Sequence, residues 1–165
     1  MPVQEKILMR LNDLGIEHQI VTHPPVESIR DCEWAQNELN AVVPKNLFLA
    51  PRNLKQYYLL MVMPDAAFHT AAISQQIGVS RLSFGPEEML FETLCTYPGA
   101  ISPMGLIFRE AKDVTLLVDE RLRNCPRLAF HPNDNEVALA MASKDFFDVF
   151  LPSTGHVPRF ITVEE

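Results

Sequence analysis

The chain has 165 residues, of which 47% are hydrophobic and 21% charged, and its formal net charge is −7. These values fit one compact, globular domain spanning residues 1–165 and exclude a disordered chain. The longest apolar stretches, such as Tyr57–Met63, are far shorter than the roughly 20 residues that cross a bilayer, and the N-terminus resembles no secretion signal. We therefore expect a cytoplasmic protein without broad nucleic-acid affinity, since a negative surface repels phosphate.

In the N-terminal part, apolar residues at helical spacing alternate with short β-branched or aromatic runs. The predicted elements are, in order, a helix Val3–Leu14 stopped by Gly15, a strand Glu17–Val21, a rigid bend at His23-Pro24-Pro25 and a helix Ser28–Leu39. Strands Asn46–Leu49 and Gln56–Met63 follow, then a helix from the N-cap Asp65 to Ile77 that is closed by Gly78. A strand Arg81–Phe84 and a helix from Pro86 to Leu94 come next. The apolar content of the two strands at 46–49 and 56–63 predicts a sheet centre covered on both faces.

The C-terminal part begins with a loop rich in proline and glycine, at Cys95–Gly105. It continues with predicted strands Val114–Val118, Leu128–His131 and Glu136–Ala142, a helix capped by Ser143 and ending at Leu151, and a closing strand Phe160–Val163. Strands and helices are intermixed without a repeat or a linker. The predicted fold class is α+β (mixed α/β), a single domain with a mixed central β-sheet surrounded by helices.

Lys45 opens the apolar segment Pro44-Lys45-Asn46-Leu47-Phe48-Leu49. A lysine at the start of a strand is usually solvated. Its functional use would be as a compact cation for a phosphate or for a developing oxyanion.

The segment Pro98-Gly99-Ala100-Ile101-Ser102-Pro103-Met104-Gly105 has two prolines and two glycines within eight residues. Such a loop is rigid yet leaves backbone N–H groups uncovered, so it could aim them at a carbonyl oxygen. A plain connecting turn is the alternative.

A third candidate is Phe130-His131-Pro132-Asn133-Asp134-Asn135. His131 could be a base, a hydrogen-bond anchor or a capped core histidine, and Asp134 and Asn135 commonly serve turn geometry. His23-Pro24-Pro25 is interpreted as structural.

No motif of a zinc protease, a serine hydrolase with a nucleophile elbow or a phosphate-binding loop is present. The three cysteines, Cys32, Cys95 and Cys125, are scattered and odd in number, which argues against a disulfide framework and against a zinc site.

Three of these segments, taken in order, resemble the YbaK/prolyl-tRNA-synthetase-associated editing domains. Lys45-Asn46-Leu47-Phe48-Leu49 resembles that family's K-N-L-F-L segment. Gly99–Pro103 is similar to its G-x-x-x-P loop, and Phe130-His131-Pro132 with Asn135 to its F-H-P-x-x-N segment. Val118-Asp119 and Gly155-His156 also lie where members carry similar residues, so the resemblance covers roughly Val3–Ile161.

The resemblance implies an aminoacyl-tRNA deacylase, a carboxylic ester hydrolase that clears mischarged tRNA(Pro) without a metal or an organic cofactor. Among its branches, the free-standing alanyl-tRNA(Pro) deacylases are the most similar. In these terms Lys45 would hold the terminal adenosine or phosphate, and the backbone of Gly99, Ala100, Ile101, Ser102 and Pro103 would grip the aminoacyl group. His131 would shape the pocket or position water, with Asn46 and Asn135 as supporting polar groups.

Three alternatives remain open at this point. The chain could be a binding module of the same fold that docks on prolyl-tRNA synthetase without turnover. It could instead clear cysteine, serine or threonine, since the run Glu136–Ala140 departs from the small hydroxyl residues common in the family. A different small acyl ester is the third possibility.

Overall fold

The computed structural model describes residues 2–22, 36–67, 69–134 and 136–163. The predicted bend at His23-Pro24-Pro25 and most of the predicted helix Ser28–Leu39 lie outside these ranges. Only residues 36–39 of that helix are described; they are helical, and Leu39 is buried.

Four helices can be followed through the described ranges. Helix α1 is Val3–Asp13, α2 is Thr70–Ile77 and α3 is Glu87–Leu94, while α4 joins Ser143–Asp145, a π-helical turn at Phe146–Phe150 and Leu151–Thr154. The glycines predicted to end α1 and α2, Gly15 and Gly78, have φ values of 69° and 75°, which few side chains tolerate. Within these ranges no helix is both long and apolar enough to cross a membrane.

The strands form two sheets. They are β1 His18–Thr22, β2 Lys45–Pro51, β3 Tyr58–Val62, β4 Leu82–Phe84, β5 Thr115–Asp119, β6 Arg127–Phe130, β7 Val137–Ala142 and β8 Arg159–Ile161. The larger sheet has the order β4-β2-β3-β5-β8 and is mixed, because β2 runs antiparallel to β3 and β4 whereas β5 runs parallel to β3 and β8. The smaller sheet, β1-β7-β6, is antiparallel. The mixed α+β class is therefore confirmed, and the second sheet is a feature that the sequence did not predict.

The main core fills the space between the two sheets. Phe48, Leu59 and Met61 of the larger sheet share one apolar cluster with Phe130 and Leu139 of the smaller sheet. Alternate residues of the larger sheet point the other way and pack under α2, where Leu49 and Leu60 meet Ile73. The prediction that β2 and β3 are covered on both faces is thus correct, and every residue of β3 is buried.

Two predicted helix starts are wrong. Asp65 lies in a turn, where the Ala66 N–H donates to the Met63 carbonyl, and α2 begins only at Thr70 after the N-cap His69. Ser143 is the first residue of α4, and Ala142 occupies the N-cap position. The Ser143 hydroxyl caps no helix N–H and donates instead to the Cys125 carbonyl. The same helix continues past Leu151 to Thr154, and Gly155 ends it with φ 79°.

Asp119 joins the ends of β3 and β5. It is fully buried, and its carboxylate accepts the Met63 N–H at 3.1 Å, the Arg121 N–H at 3.1 Å and the Arg121 guanidinium at 2.8 Å. The Met63 carbonyl in turn accepts the Ala66 N–H at 3.0 Å. The carboxylate therefore fixes the turn Met63–Ala66 against the end of the sheet.

Candidate functional site

Lys45 and Asn46 begin β2 and point to opposite faces of the larger sheet. Lys45 pairs with Val62 on the α2 side, and its ammonium donates to the Ala66 carbonyl at 3.3 Å. Asn46 pairs with Met61, which belongs to the core between the sheets. The Asn46 side-chain oxygen is buried and accepts no hydrogen bond.

The proline- and glycine-rich loop is held by its own hydrogen bonds. It contains two short 3-10 helices, Pro98–Ala100 and Pro103–Ile107. The Ala100 N–H donates to the Tyr97 carbonyl at 2.9 Å, and the Met104 N–H donates to the Ser102 hydroxyl at 2.9 Å. These two N–H groups are therefore engaged within the loop in this conformation.

Exposure varies sharply along the same loop. Pro98 and Gly99 are exposed, Ile101 is half-buried, and Ala100, Ser102 and Pro103 are buried. A substrate that contacts this loop from solvent would therefore meet Pro98 and Gly99 first.

His131 directly follows β6 and is half-buried. Its Nδ1 lies 2.9 Å from the Val137 carbonyl oxygen. Since a carbonyl only accepts, Nδ1 carries the proton in the neutral ring and Nε2 carries the lone pair. Asp134 serves turn geometry as predicted, because its carboxylate accepts the Glu136 N–H at 2.9 Å, and Asn135 lies outside the described residues.

The turn at residues 131–134, which follows β6, is the His131 turn. The loop and the His131 turn meet at the C-terminal end of α3. The Asn133 side-chain amide donates to the carbonyls of Leu94 at 2.8 Å and Cys95 at 3.2 Å. Gly105 packs against the same Leu94 carbonyl so closely that a Cβ at this position would overlap with the oxygen. The last glycine of the P-G-x-x-x-P-x-G segment therefore permits a close backbone approach.

The structure thus brings two of the three predicted segments together at the end of α3, through the Asn133 hydrogen bonds and the close packing of Gly105. In the described ranges, no hydrogen bond joins Lys45 or Asn46 to the loop or to the His131 turn. Asn46 lies opposite Met61 in the sheet. Met61 belongs to the same apolar cluster as Met104 of the loop and Phe130, which directly precedes His131. Asn133 was not among the predicted site residues, because asparagine in a turn has an ordinary local explanation.

Cys95 opens the loop as the C-cap of α3, and Cys125 precedes β6. Burial raises the pKa of the Cys95 thiol, the carboxylate of Glu110 raises it further, and Lys6 opposes the shift. Burial and Asp119 likewise raise the pKa of Cys125, against Arg121. Neither thiol is therefore prepared as a nucleophile.

We expect iodoacetamide to alkylate Cys95 and Cys125 more slowly at pH 8 in the native protein than in denaturant, because less thiolate is present. Peptide mass spectrometry reads each site separately. The pKa of each thiol is higher in the folded protein than in the unfolded chain. The stabilisation of the folded state by the neutral thiols is therefore complete below the pKa of the unfolded chain, and it is lost as the pH rises through the pKa of the folded protein. Faster alkylation of the native protein than of the unfolded chain would contradict the raised pKa values.

The described residues contain no group of three histidine, cysteine, aspartate or glutamate side chains placed to hold a metal ion. The candidate groups for chemistry are Lys45, the loop backbone and His131.

Comparison with known proteins identifies the family. The aminoacyl-tRNA editing domain model matches residues 23–149, well over half of the chain. The prolyl-tRNA editing protein ProX of Acetoanaerobium sticklandii is 30% identical over 145 residues, with 88% of each chain covered. Prolyl-tRNA synthetase associated domain-containing protein 1 of Mus musculus is 29% identical over 166 residues, covering 98% of this chain and 97% of the mouse protein.

A solved structure proposed to be a trans-editing enzyme for prolyl-tRNA synthetase has the same fold. It is 18% identical, with a TM-score of 0.73 over 100% of this chain and 98% of that one. The resemblance carried by Lys45–Leu49, Gly99–Pro103 and Phe130–Pro132 is thereby confirmed at the level of the family. The chain belongs to the aminoacyl-tRNA editing domain family, and its activity is that of an aminoacyl-tRNA deacylase.

Proposed function

We propose that this chain hydrolyses the ester of mischarged tRNA(Pro) in trans, with alanine as its main substrate. The observation that carries the proposal is the junction at Leu94, where Asn133 of the His131 turn and Gly105 of the loop meet one carbonyl. A small group held between this loop and this turn would have backbone on one side and an imidazole on the other. The relatives named for prolyl-tRNA editing and for prolyl-tRNA synthetase support tRNA(Pro) as the carrier.

In this proposal the reaction needs no protein nucleophile. A water oxygen attacks the ester carbonyl carbon, and the backbone of Gly99–Pro103 orients that carbonyl. The C–O bond to the ribose then breaks, and the proton from water passes to the ribose oxygen that leaves. His131 positions the water through its imidazole ring, which the Nδ1 contact with the Val137 carbonyl holds in place.

Lys45 has a separate role in the proposal, which is to hold the terminal adenosine or its phosphate. Its ammonium has no carboxylate within 4 Å among the described residues, and a carbonyl oxygen leaves its charge uncompensated. The whole chain is acidic, with a formal net charge of −7, so few phosphate contacts are expected and tRNA binding should be weak and salt-sensitive.

We expect Ala-tRNA(Pro) to be hydrolysed well, Ser-tRNA(Pro) second, and Pro-tRNA(Pro) poorly. In the proposed site, a space that admits a methyl group would overlap with a pyrrolidine ring, and overlap energy rises steeply, whereas a missing methylene changes binding by only about 1 to 3 kcal/mol. Single-turnover rates for alanine, serine, cysteine and proline on the same tRNA measure this order.

Each result of that comparison has a distinct meaning. Fastest clearance of cysteine would contradict alanine as the main substrate, and equal clearance of proline and alanine would contradict editing by size. Binding of every aminoacyl-tRNA without turnover would replace the deacylase with a binding module, including one that docks on prolyl-tRNA synthetase.

A further inference from the structure

The Asn133 side chain links the His131 turn to the C-terminal end of α3 by hydrogen bonds. It is buried, with 9% of its surface exposed, and its N–H donates to the His131 carbonyl at 2.7 Å. Both partners of its side chain, the carbonyls of Leu94 and Cys95, only accept hydrogen bonds. The side-chain nitrogen therefore faces α3 and the side-chain oxygen points away from it.

The contact extends from α3 into the loop. After Cys95, the Thr96 hydroxyl donates to the Ala100 carbonyl at 2.7 Å, and the Ala100 N–H donates to Tyr97. Gly105 closes the loop against the same Leu94 carbonyl that Asn133 holds. Hydrogen bonds, together with the covalent link from Cys95 to Thr96, thus connect His131 with Ala100 through Asn133.

If stability were the only consideration, two features of Asn133 would be unfavourable. Its backbone has φ 59°, in the left-handed region, where asparagine is less strained than most residues but glycine is freer still. Its side-chain oxygen is buried and accepts no hydrogen bond, which costs free energy relative to a satisfied or apolar group. Glycine would satisfy the backbone without that cost, so the advantage of asparagine lies in the two bonds that its amide donates.

We propose that Asn133 is a positioning residue that sets the distance between the His131 turn and the Gly99–Pro103 loop, and thereby the exclusion of proline. This inference rests on the proposed function, in which the amino acid is held between these two segments. In this proposal, Asn133 contacts neither the aminoacyl group nor the attacking water. Without the Asn133 amide, the gap between the His131 turn and the loop widens. Proline then enters, and the ester carbonyl of a bound alanine is held less accurately.

Two variants separate the amide from the backbone conformation. Asn133→Gly keeps the left-handed conformation and removes the side chain. Asn133→Asp keeps the size, but an ionised carboxylate cannot donate to the carbonyls of Leu94 and Cys95. Gln56→Ala is the matched control, since the Gln56 amide donates to the Asp113 carbonyl at 2.6 Å and has no hydrogen bond to the loop or the turn.

The measurement is the ratio of single-turnover rates on Ala-tRNA(Pro) and Pro-tRNA(Pro), with thermal unfolding of each variant as the fold check. We expect the ratio to fall about tenfold or more in both Asn133 variants, because a displacement near 1 Å is enough for such losses. In Gln56→Ala the ratio should match the wild type even if the melting temperature falls. An unchanged ratio in a folded Asn133 variant would mean that Asn133 only caps α3, and would overturn the proposal.

Hydrogen exchange without tRNA distinguishes this inference from the proposed function. If the wild type hydrolyses neither substrate, the proposed function fails, and exchange at residues 96–105 still tests the connection. Faster exchange there in Asn133→Gly and Asn133→Asp, but not in Gln56→Ala, supports Asn133 as the residue that holds the loop. Equal exchange in all of them overturns it, and if Asn133→Gly fails to fold, Asn133→Asp alone decides.

Discussion

Lys45→Ala is expected to slow deacylation of Ala-tRNA(Pro) by about 10²-fold, because an acceptor end that the ammonium no longer holds is displaced from the reacting geometry, and a displacement near 1 Å can cost this much. Lys45 is half-buried, and among the described residues the one hydrogen-bond partner of its ammonium is the Ala66 carbonyl at 3.3 Å. The fold should survive, since the substitution removes one hydrogen bond, to the Ala66 carbonyl in a partly exposed turn. Lys45→Arg should also be impaired, because a planar guanidinium does not reproduce a compact ammonium.

The matched control for Lys45 is Lys55→Ala. Lys55 carries the same charge in the turn between β2 and β3, at the other end of the same strand pair, and is exposed. Single-turnover rates on one mischarged tRNA, with circular dichroism melting curves for each variant, separate activity from folding. Turnover of Lys45→Ala within twofold of wild type would remove Lys45 from the proposed site, and an equal loss in Lys55→Ala would reduce its role to general charge.

Local structure was predictable where the chain itself specifies it. Gly15 and Gly78 end their helices because the left-handed backbone there suits glycine, and the apolar run of β3 requires burial on both faces. Asp65 was misread because an aspartate before an apolar helix looks like an N-cap. The turn that holds it instead provides the Ala66 carbonyl to Lys45.

Long-range pairing was not predictable in the same way. Strand β1 pairs with β7, so that His18 faces Met141 across more than a hundred intervening residues, and no local pattern selects that partner. The second sheet follows from this pairing. Asn133 shows the same limit at the site, because its partner, the Leu94 carbonyl, is 39 residues away and carries no sequence signal.

Asp119→Ala is expected to lower the free energy of unfolding by about 2 to 4 kcal/mol, because it leaves the Met63 N–H without its acceptor and Arg121, whose side chain is 27% exposed, without its ion-pair partner. For a chain of this length, that loss corresponds to a fall in melting temperature of roughly 4 to 16 °C. The control Asp113→Ala removes an exposed carboxylate just before β5 and should change stability by about 0.5 kcal/mol or less. A melting temperature of Asp119→Ala within 2 °C of wild type would contradict the role of this carboxylate.

The effect should reach the proposed site through a short series of contacts. The Asp119 carboxylate accepts a hydrogen bond from the Met63 N–H, and the Met63 carbonyl accepts one from the Ala66 N–H. The Ala66 carbonyl then accepts one from the Lys45 ammonium. Asp119→Asn keeps an oxygen for Met63 but loses the charge that pairs with Arg121, so its stability should lie between those of wild type and Asp119→Ala. If the Met63–Ala66 turn positions Lys45, deacylation measured well below each melting temperature should decrease in the same order, because the acceptor that orients the ammonium becomes less fixed.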